Sequence, residues 1–330
     1  MQQLPEKVKG RFVNPHARAI RRSLWDVFLW KMGFYDNGEK NSFAPCDFSY
    51  PLPVDLIDPE KPQATWINHS SFLVKAFGLT FITDPIFSKR CSPFSFLGPK
   101  RNHPPGLSLE ELENVDCVLI SHNHYDHLDK KAILKIHSRF PSAKWVVPFG
   151  VGTWFLRNGI SNVFEMSWWQ DLSLVFVNTS LKVHITATPA QHFSGRSLRD
   201  YNKTLWMGIV VELEKDGVEK RFYFAGDTGY NPYDFKSIGS RWGYFDLSLI
   251  PIGCYSPKVF MSPVHIDPLE AVWIHKEVGS VQSIGMHWKT FTLSDEGNCR
   301  PPYDLYLALQ QEGIDPLKFL AVPPGYAVNW

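Results

Sequence analysis

The stretch that decides the fold is Ser121-His122-Asn123-His124-Tyr125-Asp126-His127. Side chains two residues apart in an extended chain point to the same side, so His122 and His124 can coordinate one ion together. Asp126 and His127 follow where the chain turns, and they can reach a second ion beside the first. Imidazole nitrogens and carboxylate oxygens suit zinc, iron or manganese. Four such groups within six residues are hard to explain as core or solvated surface, so the loop predicts a metal site.

The neighbours of this loop predict the end of a strand and the start of a helix. Residues 115–120 are typical of a buried strand, and Lys130–Arg139 has helical periodicity with Asp129 placed to cap it. Other strands are predicted at residues 64–67, 71–75, 79–83, 144–147, 172–177, 181–188, 206–213, 221–224, 246–250 and 283–286, with a hairpin turn at 215–217 and a helix at 268–278. This alternation predicts an α/β protein in which helices cover two sheets.

Three further candidate ligands, His192, Asp227 and His287, each come shortly after a predicted strand. In α/β sheets the functional groups gather at the carboxyl ends of the strands, so all three are placed to complete a metal site. Each would be a modest signal by itself, because a lone histidine at a strand end is more often structural.

The composition excludes several classes of protein. The 330 residues carry 34 Lys and Arg against 33 Asp and Glu, and this balance argues against a nucleic-acid partner. There is no apolar leader and no run of 18 apolar residues, so we predict a cytoplasmic location without a membrane span. The cysteines are scattered without a C-x-x-C pair, which favours a reducing compartment; they are Cys46, Cys91, Cys117, Cys254 and Cys299.

The first 50 residues are predicted to form a separate arm. Residues 1–15 look irregular, and residues 18–34 have the apolar spacing of an amphipathic helix with Arg18, Arg21 and Arg22 between the apolar positions. A basic amphipathic helix can lie on a membrane surface, which would make the protein membrane-associated. The simpler and favoured interpretation is a helix packed on the outside of the main domain.

The H-x-H-x-D-H loop, with the later His, Gly-Asp-Thr and His, resembles the metallo-β-lactamase superfamily. The resemblance implies an αββα four-layer sandwich over residues 51–330, behind an N-terminal helical arm over residues 1–50. It also implies two divalent cations, with zinc expected first and iron or manganese also compatible. By matching motif positions the first cation would be bound by His122, His124 and His192, the second by Asp126, His127 and His287, and both by the bridging Asp227.

A narrower resemblance, to one family within this superfamily, covers most of the chain beyond residue 40. The chain departs from that family's pattern at Asn68, where a Gly is commoner. The matching segments are residues 79–99, 121–129 and 224–230, with Gly98-Pro99-Lys100-Arg101, Gln191-His192, Leu205-Trp206, Ile250-Pro251-Ile252-Gly253 and His265-Ile266-Asp267-Pro268. Together they are similar to the N-acylphosphatidylethanolamine-hydrolysing phospholipase D family. The resemblance implies a phosphodiesterase with a phospholipid substrate, in which a metal-bridging hydroxide attacks phosphorus and releases N-acylethanolamine and phosphatidic acid. From the same resemblance we also expect a homodimer and a peripheral contact with a membrane.

Four residues receive roles beyond the ligand set alone. Asp126 is expected both to hold a metal and to orient the nucleophile. His265 matches a family histidine and is our candidate for leaving-group protonation or phosphate contact; the alternative is a histidine satisfied by local hydrogen bonds. Asp84 is expected to support a metal-binding histidine, or else to cap its strand. His69 either lines the site or fixes a loop, and the sequence does not choose.

The remaining histidines and several aromatic residues are set apart from the metal site. We expect His16, His103, His137, His184 and His275 not to be ligands. The aromatics that would suit an acyl-chain channel, although ordinary core packing is favoured for each, are Trp154, Phe155, Trp168, Trp169, Tyr255 and Phe260.

Three alternatives stay open. Because a fold does not determine the substrate, the sequence is also compatible with a lactonase of the ascorbate-6-phosphate lactonase type, a thioesterase or a nuclease. Oxygen-reducing diiron modules resemble H-x-E-x-D-H, but this chain has His124 where the Glu belongs. A non-enzymatic alternative is a peripheral membrane-binding protein whose metal site is structural, which the basic helix supports and the complete ligand set opposes.

Overall fold

The computed structural model describes residues 4–17, 24–35, 44–45, 48–53, 57–176, 180–197 and 199–330. The strands are β1 (Glu6–Val8), β2 (Arg11–Val13), β3 (Gln63–Asn68), β4 (Ser71–Ala76), β5 (Leu79–Thr83), β6 (Cys117–Leu119), β7 (Lys144–Pro148), β8 (Val163–Met166), β9 (Asp171–Leu174), β10 (Lys182–Thr188), β11 (Gly208–Lys215), β12 (Val218–Phe224), β13 (Phe245–Pro251), β14 (Ser280–Met286), β15 (Phe319–Leu320) and β16 (Ala327–Asn329). The helices are α1 (Leu24–Lys31), α2 (Lys130–Arg139), α3 (Gly152–Arg157), α4 (Asp234–Trp242), α5 (Lys258–Met261), α6 (Pro268–Glu277) and α7 (Arg300–Gln311), with a 3₁₀ turn at Pro316–Lys318.

Two seven-stranded mixed sheets form the body of the protein. The first has the order β16-β3-β4-β5-β6-β7-β8, and the second has the order β15-β14-β13-β12-β11-β10-β9. In the first sheet β5, β6, β7 and β8 run parallel, and in the second β12, β13, β14 and β15 run parallel. Parallel strands end at one edge of their sheet, so the loops after β5, β6, β12 and β14 can meet there.

Side chains alternate between two cores along the strands of the first sheet. Leu119 and Val146 join the core between the sheets, whereas Val118 and Trp145 join a second core together with Ile133 of α2. On the far side, α4, α6 and α7 contribute apolar side chains to the cluster that contains the second sheet. This period of two, with both faces of the first sheet covered, confirms the predicted αββα four-layer sandwich.

The helix after the histidine loop begins where the sequence predicted. Asp129 caps α2 by accepting a hydrogen bond from the amide of Lys131 at 3.0 Å. Its other carboxylate oxygen accepts the amides of Phe87 and Ser88 at 3.1 and 2.8 Å. A cap that is also bonded to a distant segment fixes the histidine loop between β6 and α2 against the loop after β5.

The arm differs from its prediction in two places. Residues 1–15 do not all form an irregular segment, because β1 and β2 pair as a hairpin whose Phe12 is buried in the main core. Such short strands give no periodic signal, and this pairing is stabilised by hydrogen bonds between Phe12 and Asn202, which are far apart in sequence. The arm of 1–50 as a separate unit remains a prediction.

The predicted helix of residues 18–34 ends earlier in the structure. Helix α1 ends at Lys31 and is followed by a turn, whereas Arg18, Arg21 and Arg22 lie outside the described residues. Trp30 is buried against Phe260, with ring centroids 5.0 Å apart. Packing of one helix face on the main body is therefore confirmed. No helix among the described residues has the length and apolar character to cross a membrane.

A buried histidine away from the metal loop should make the folding stability of the protein fall as the pH is lowered. His275 of α6 lies next to Ser283, with Nδ1 2.8 Å from the hydroxyl, and burial lowers its pKa to about 4. Between pH 6.5 and 4 the unfolded chain therefore binds a proton that the folded chain does not, so stability falls as the pH falls. The loss approaches about 1.4 kcal/mol per pH unit for this group.

We expect His275→Gln to reduce the drop in melting temperature between pH 7 and pH 5, measured by thermal unfolding. His184→Gln, at an exposed position on β10, is the control and should behave like the unchanged protein. An identical drop in His275→Gln and the unchanged protein would contradict the assignment.

Candidate metal centre

The seven predicted ligands come from four loops that meet at one edge of the two sheets. His122, His124, Asp126 and His127 follow β6, whereas the others follow strands of the second sheet: His192 after β10, Asp227 after β12 and His287 after β14. Gly226, just before Asp227, has φ 63°, and a Cβ there would lie 2.8 Å from the Cβ of Ser121. Glycine therefore allows the Asp227 loop to approach the histidine loop closely.

Three histidines form the first half of the site. Nε2 of His122 lies 2.8 Å from Nδ1 of His124, which lies 3.3 Å from Nε2 of His192. Nδ1 of His192 is 2.9 Å from the carbonyl oxygen of Val264, so this nitrogen carries the proton and leaves Nε2 free. The arrangement offers three imidazole nitrogens to a single cation.

The second half of the site combines a carboxylate with two further histidines. Oδ2 of Asp126 lies 3.4 Å from Nε2 of His127 and 3.6 Å from Nε2 of His287. Oδ2 of Asp126 also lies 3.0 Å from Nε2 of His69. Oxygen and nitrogen donors at these separations are suited to a divalent cation.

Asp227 lies between the two halves. Its Oδ2 is 3.1 Å from Nε2 of both His127 and His287, and 3.9 and 3.7 Å from Nε2 of His122 and His192. One oxygen therefore faces nitrogens from both halves, which is the placement that a bridging ligand requires. The bridging role itself remains a prediction.

The electrostatics of the site are dominated by burial and by the two carboxylates. Burial lowers the pKa of His122 and of His192 well below its usual value. Burial also acts on His127 and His287, but Asp227 and Asp126 outweigh it, raising the pKa of His127 well above its usual value and that of His287 to about 9. The two carboxylates thus dominate the electrostatic environment of the two histidines that lie nearest to them.

Buried polar atoms without hydrogen bonds show that the donors fit a metal. Among the described residues, Oδ1 of Asp227 has no hydrogen-bond partner, and Nε2 of His127 and of His287 face Oδ2 of Asp227 at 3.1 Å without the geometry of a hydrogen bond. Buried groups of this kind are costly unless something satisfies them, and a cation would do so for all three. The donor set and its enclosure therefore fit the expected metal.

Asp84 lies where the expected supporting role requires it. The residue is fully buried after β5, and its Oδ2 accepts a hydrogen bond from Nδ1 of His127 at 2.7 Å. Its Oδ1 accepts the amide of Ser121 at 2.7 Å. A carboxylate at Nδ1 fixes the ring and directs the Nε2 lone pair towards the centre.

The structure also decides the question of His69 and gives His265 a position. His69 lies in the wall of the site, where burial lowers its pKa to about 3, so a neutral ring faces Asp126. The ring centroid of His265 lies 5.1 Å from that of His192 and 5.2 Å from that of His287. Among the described residues, Nδ1 of His265 has no hydrogen-bond partner, so local bonding does not occupy it.

Two supporting residues were missed by the sequence reasoning. Asn14 of the arm donates a hydrogen bond to the carbonyl oxygen of His192 at 2.7 Å. Arg196 donates to the carbonyl oxygens of Asn123 and Leu128 at 2.9 Å each, and so fixes the histidine loop from outside. Neither residue has a sequence signal, because both act across long stretches of chain.

The five histidines that were set apart do not join any group of potential metal ligands among the described residues; they are His16, His103, His137, His184 and His275. Of the six aromatics considered for a channel, Phe155, Trp168 and Trp169 pack in the cores. Trp154 instead lines a groove of about 930 Å³ together with Tyr125 of the histidine loop.

Comparison with known proteins defines the class and then the family. The beta-lactamase superfamily domain matches residues 80–288. A metallo hydrolase from the archaeon Ignicoccus hospitalis has the same fold, with a TM-score of 0.61 at 24% identity over 82% of this chain and 98% of that chain. The fold and the site thus define a metal-dependent hydrolase of the metallo-β-lactamase fold.

Two relatives narrow this class. The chain is 41% identical over 269 residues to N-acyl-phosphatidylethanolamine-hydrolyzing phospholipase D 1 of Caenorhabditis elegans, covering 79% of this chain and 74% of that protein. It is 38% identical over 251 residues to the mitochondrial N-acyl-phosphatidylethanolamine-hydrolyzing phospholipase D of Saccharomyces cerevisiae, covering 76% of this chain and 52% of that protein. The chain belongs to the N-acyl-phosphatidylethanolamine-hydrolyzing phospholipase D family.

The position of Asp227 predicts that its loss affects both halves of the site. We expect Asp227→Asn to weaken metal binding by about 100-fold or more, since even partners behind the ligands typically contribute 10–100-fold. Metal content after dialysis, measured by plasma mass spectrometry, provides the test. Asp216→Asn, in the turn between β11 and β12, is a matched control and should keep the metal. Full metal content in Asp227→Asn would refute the bridging role.

Proposed function

We propose that the protein is a phosphodiesterase of the phospholipase D type that hydrolyses N-acylphosphatidylethanolamine to N-acylethanolamine and phosphatidic acid. The single observation that carries the proposal is the Asp227 oxygen facing histidines of both halves of the site. This arrangement is suited to two cations a few ångströms apart, about 3.5–4 Å in enzymes that transfer phosphoryl groups. The named activity of the 41% identical relative supports the choice of substrate.

The proposed cofactors are two divalent cations, with zinc expected first and iron or manganese also compatible. His122, His124 and His192 would hold one, and Asp126, His127 and His287 the other, with Asp227 shared. When bound, the pair supplies an activated water and a positive clamp for the oxygens of a phosphodiester.

Two residues of the chain are proposed to act on the reactants. Asp126 has one oxygen directed at His69, His127 and His287, and its carboxylate is placed to orient a water molecule. Burial lowers the pKa of His265 to about 4, so the ring is neutral near pH 7. A neutral ring is better suited to hydrogen-bond a phosphate or leaving-group oxygen than to donate its proton outright.

The groove beside the site supports an anionic lipid as substrate. N-acylation removes the positive charge of the ethanolamine amine, so the substrate headgroup keeps only the negative phosphate. Among the described residues that line the groove, Asp129 is the one carboxylate, and it is already bonded to backbone amides. Its basic members are Lys89, Arg90, Lys130, Lys131, Lys135 and Arg196. This charge is complementary to an anionic phospholipid.

Two exposed apolar patches support a peripheral membrane contact. One is the loop tip formed by Phe94, Phe96 and Leu97, which are 52%, 76% and 61% exposed. The other is on the arm, where Trp25 and Phe28 stack in the open with ring centroids 5.2 Å apart. Apolar tips beside basic side chains are typical of surfaces that meet anionic lipid. The homodimer and the cytoplasmic location remain predictions.

The main test detects products and separates His265 from the metal ligands. N-acylphosphatidylethanolamine in mixed micelles should give N-acylethanolamine and phosphatidic acid by mass spectrometry. We expect His265→Ala to keep its metal and to lose about 100-fold in turnover, the effect of removing one hydrogen-bond donor from a reacting oxygen. His184→Ala on the exposed face of β10 should leave turnover unchanged.

If the protein binds metal but does not cleave the lipid, the proposed substrate is wrong and the metal site stands. Lactones, thioesters and other phosphodiesters would then be the substrates to test. Unchanged turnover in His265→Ala would remove this residue from the reaction while leaving the substrate assignment intact.

The lipid contact has its own prediction. Replacing Phe94, Phe96 and Leu97 together by Ser should weaken sedimentation with anionic vesicles, because the change removes apolar groups worth about 1.5–3 kcal/mol each when buried. Metal content should not change. The matched control replaces three exposed valines by Ser, namely Val175, Val218 and Val281. Equal vesicle binding by both triple variants would contradict a role for this loop.

A further inference from the structure

Cys254 lies at the edge of the metal centre without being one of its predicted ligands. It follows β13 and is 6% exposed. Its Sγ and nitrogens of His265 and His287 all lie within 4.8 Å of one another. The thiol therefore lies beside two histidines, and one of them, His287, is also grouped with Asp126 and His127.

The turn that carries Cys254 is fixed by a second loop. Oε1 of Glu296 accepts the amide of Cys254 at 2.6 Å, and Oε2 accepts the amide of Ser256 at 3.0 Å. A carboxylate that binds two amides of one turn limits its movement. The thiol is thus held beside the histidines by a rigid backbone.

An independent observation points to a ligand at this position. His287 is only 3% exposed; its Nε2 faces Oδ2 of Asp227 at 3.1 Å, whereas its Nδ1 has no hydrogen-bond partner among the described residues. Buried imidazole nitrogens without partners are uncommon unless a ligand or an ion satisfies them. Cys254 and His287 also border a small cavity of about 10 Å³, which is room for one water-sized occupant.

We propose that a soft divalent cation bound at His287 takes the sulfur of Cys254 as a further ligand, with His265 beside both. The half of the centre that contains His287 would then combine nitrogen, oxygen and sulfur donors. Thiolate ligands favour zinc, cadmium and cobalt over manganese and magnesium, whereas the half formed by His122, His124 and His192 offers nitrogen and the shared oxygen of Asp227 but no sulfur.

The proton balance of this step is simple. A cysteine thiol has an ordinary pKa of about 8.5, so at neutral pH it has a proton to lose when a cation binds. Forming the metal–sulfur bond breaks the S–H bond and releases one proton to solvent. No oxidant or reductant takes part, and the cation keeps its charge.

Cobalt provides the test, because Co²⁺ bonded to a thiolate has a sulfur-to-metal charge-transfer band in the near ultraviolet. We expect the 330-residue chain loaded with two equivalents of Co²⁺ to show this band. Cys254→Ser, which keeps the size of the side chain, and Cys254→Ala should both lose it and retain the visible bands of Co²⁺ bound to nitrogen and oxygen. Cys299→Ala removes the exposed thiol and should keep the charge-transfer band.

Metal preference gives a second readout. In Cys254→Ser we expect Cd²⁺ affinity to fall by about tenfold or more and Mn²⁺ affinity to change by less than about twofold. The proposal is overturned if the unchanged protein lacks the charge-transfer band, or if Cys254→Ser keeps it at full strength. Because both readouts are independent of turnover, their outcome is separate from whether the protein cleaves a phospholipid.

Discussion

The structure depends on the burial of two ionised carboxylates, Asp126 and Asp227, among imidazole rings. Burial alone would raise the pKa of each, but the neighbouring histidines, above all His127, lower both pKa values well below their usual range. A buried charge is tolerated only when it is paired and hydrogen-bonded. Within the cluster that compensation comes from His127 and His287, whose Nε2 atoms lie 3.1 Å from Asp227 and 3.4 and 3.6 Å from Asp126, and a bound cation would add to it.

The fold supplies this compensation by bringing together loops from both sheets. The loop after β6 contributes adjacent histidines, and the second sheet contributes His192, Asp227 and His287 from three strand ends. Supports then orient the rings: Asp84 holds His127, the carbonyl oxygen of Val264 holds His192, and Arg196 holds the backbone of the histidine loop. The groove and the exposed loop tip lie just outside this edge, so the same edge is proposed to meet the lipid.

The convergence of the candidate ligands was easier to predict from the sequence than the structure of the arm, and the reasons are physical. A buried strand followed by H-x-H-x-D-H leaves a local signal, and α2 has its predicted bounds because Asp129 is a strong cap. The hairpin β1–β2 depends on hydrogen bonds to Asn202, which is far away in sequence, so it leaves no local signal. Likewise, His69 was undecided in sequence because its partner, Asp126, lies 57 residues away. In both cases, the hairpin and His69, the structure depends on contacts between residues that are distant in sequence.

The central claim is that one carboxylate serves two cations, and anomalous diffraction from crystals of the metal-loaded protein tests it most directly. The account predicts two peaks at the absorption edge of the metal, one among His122, His124 and His192 and one among Asp126, His127 and His287. An oxygen of Asp227 should lie between the two peaks. A single peak in either half, or two peaks with Asp227 bonded to only one, would contradict it.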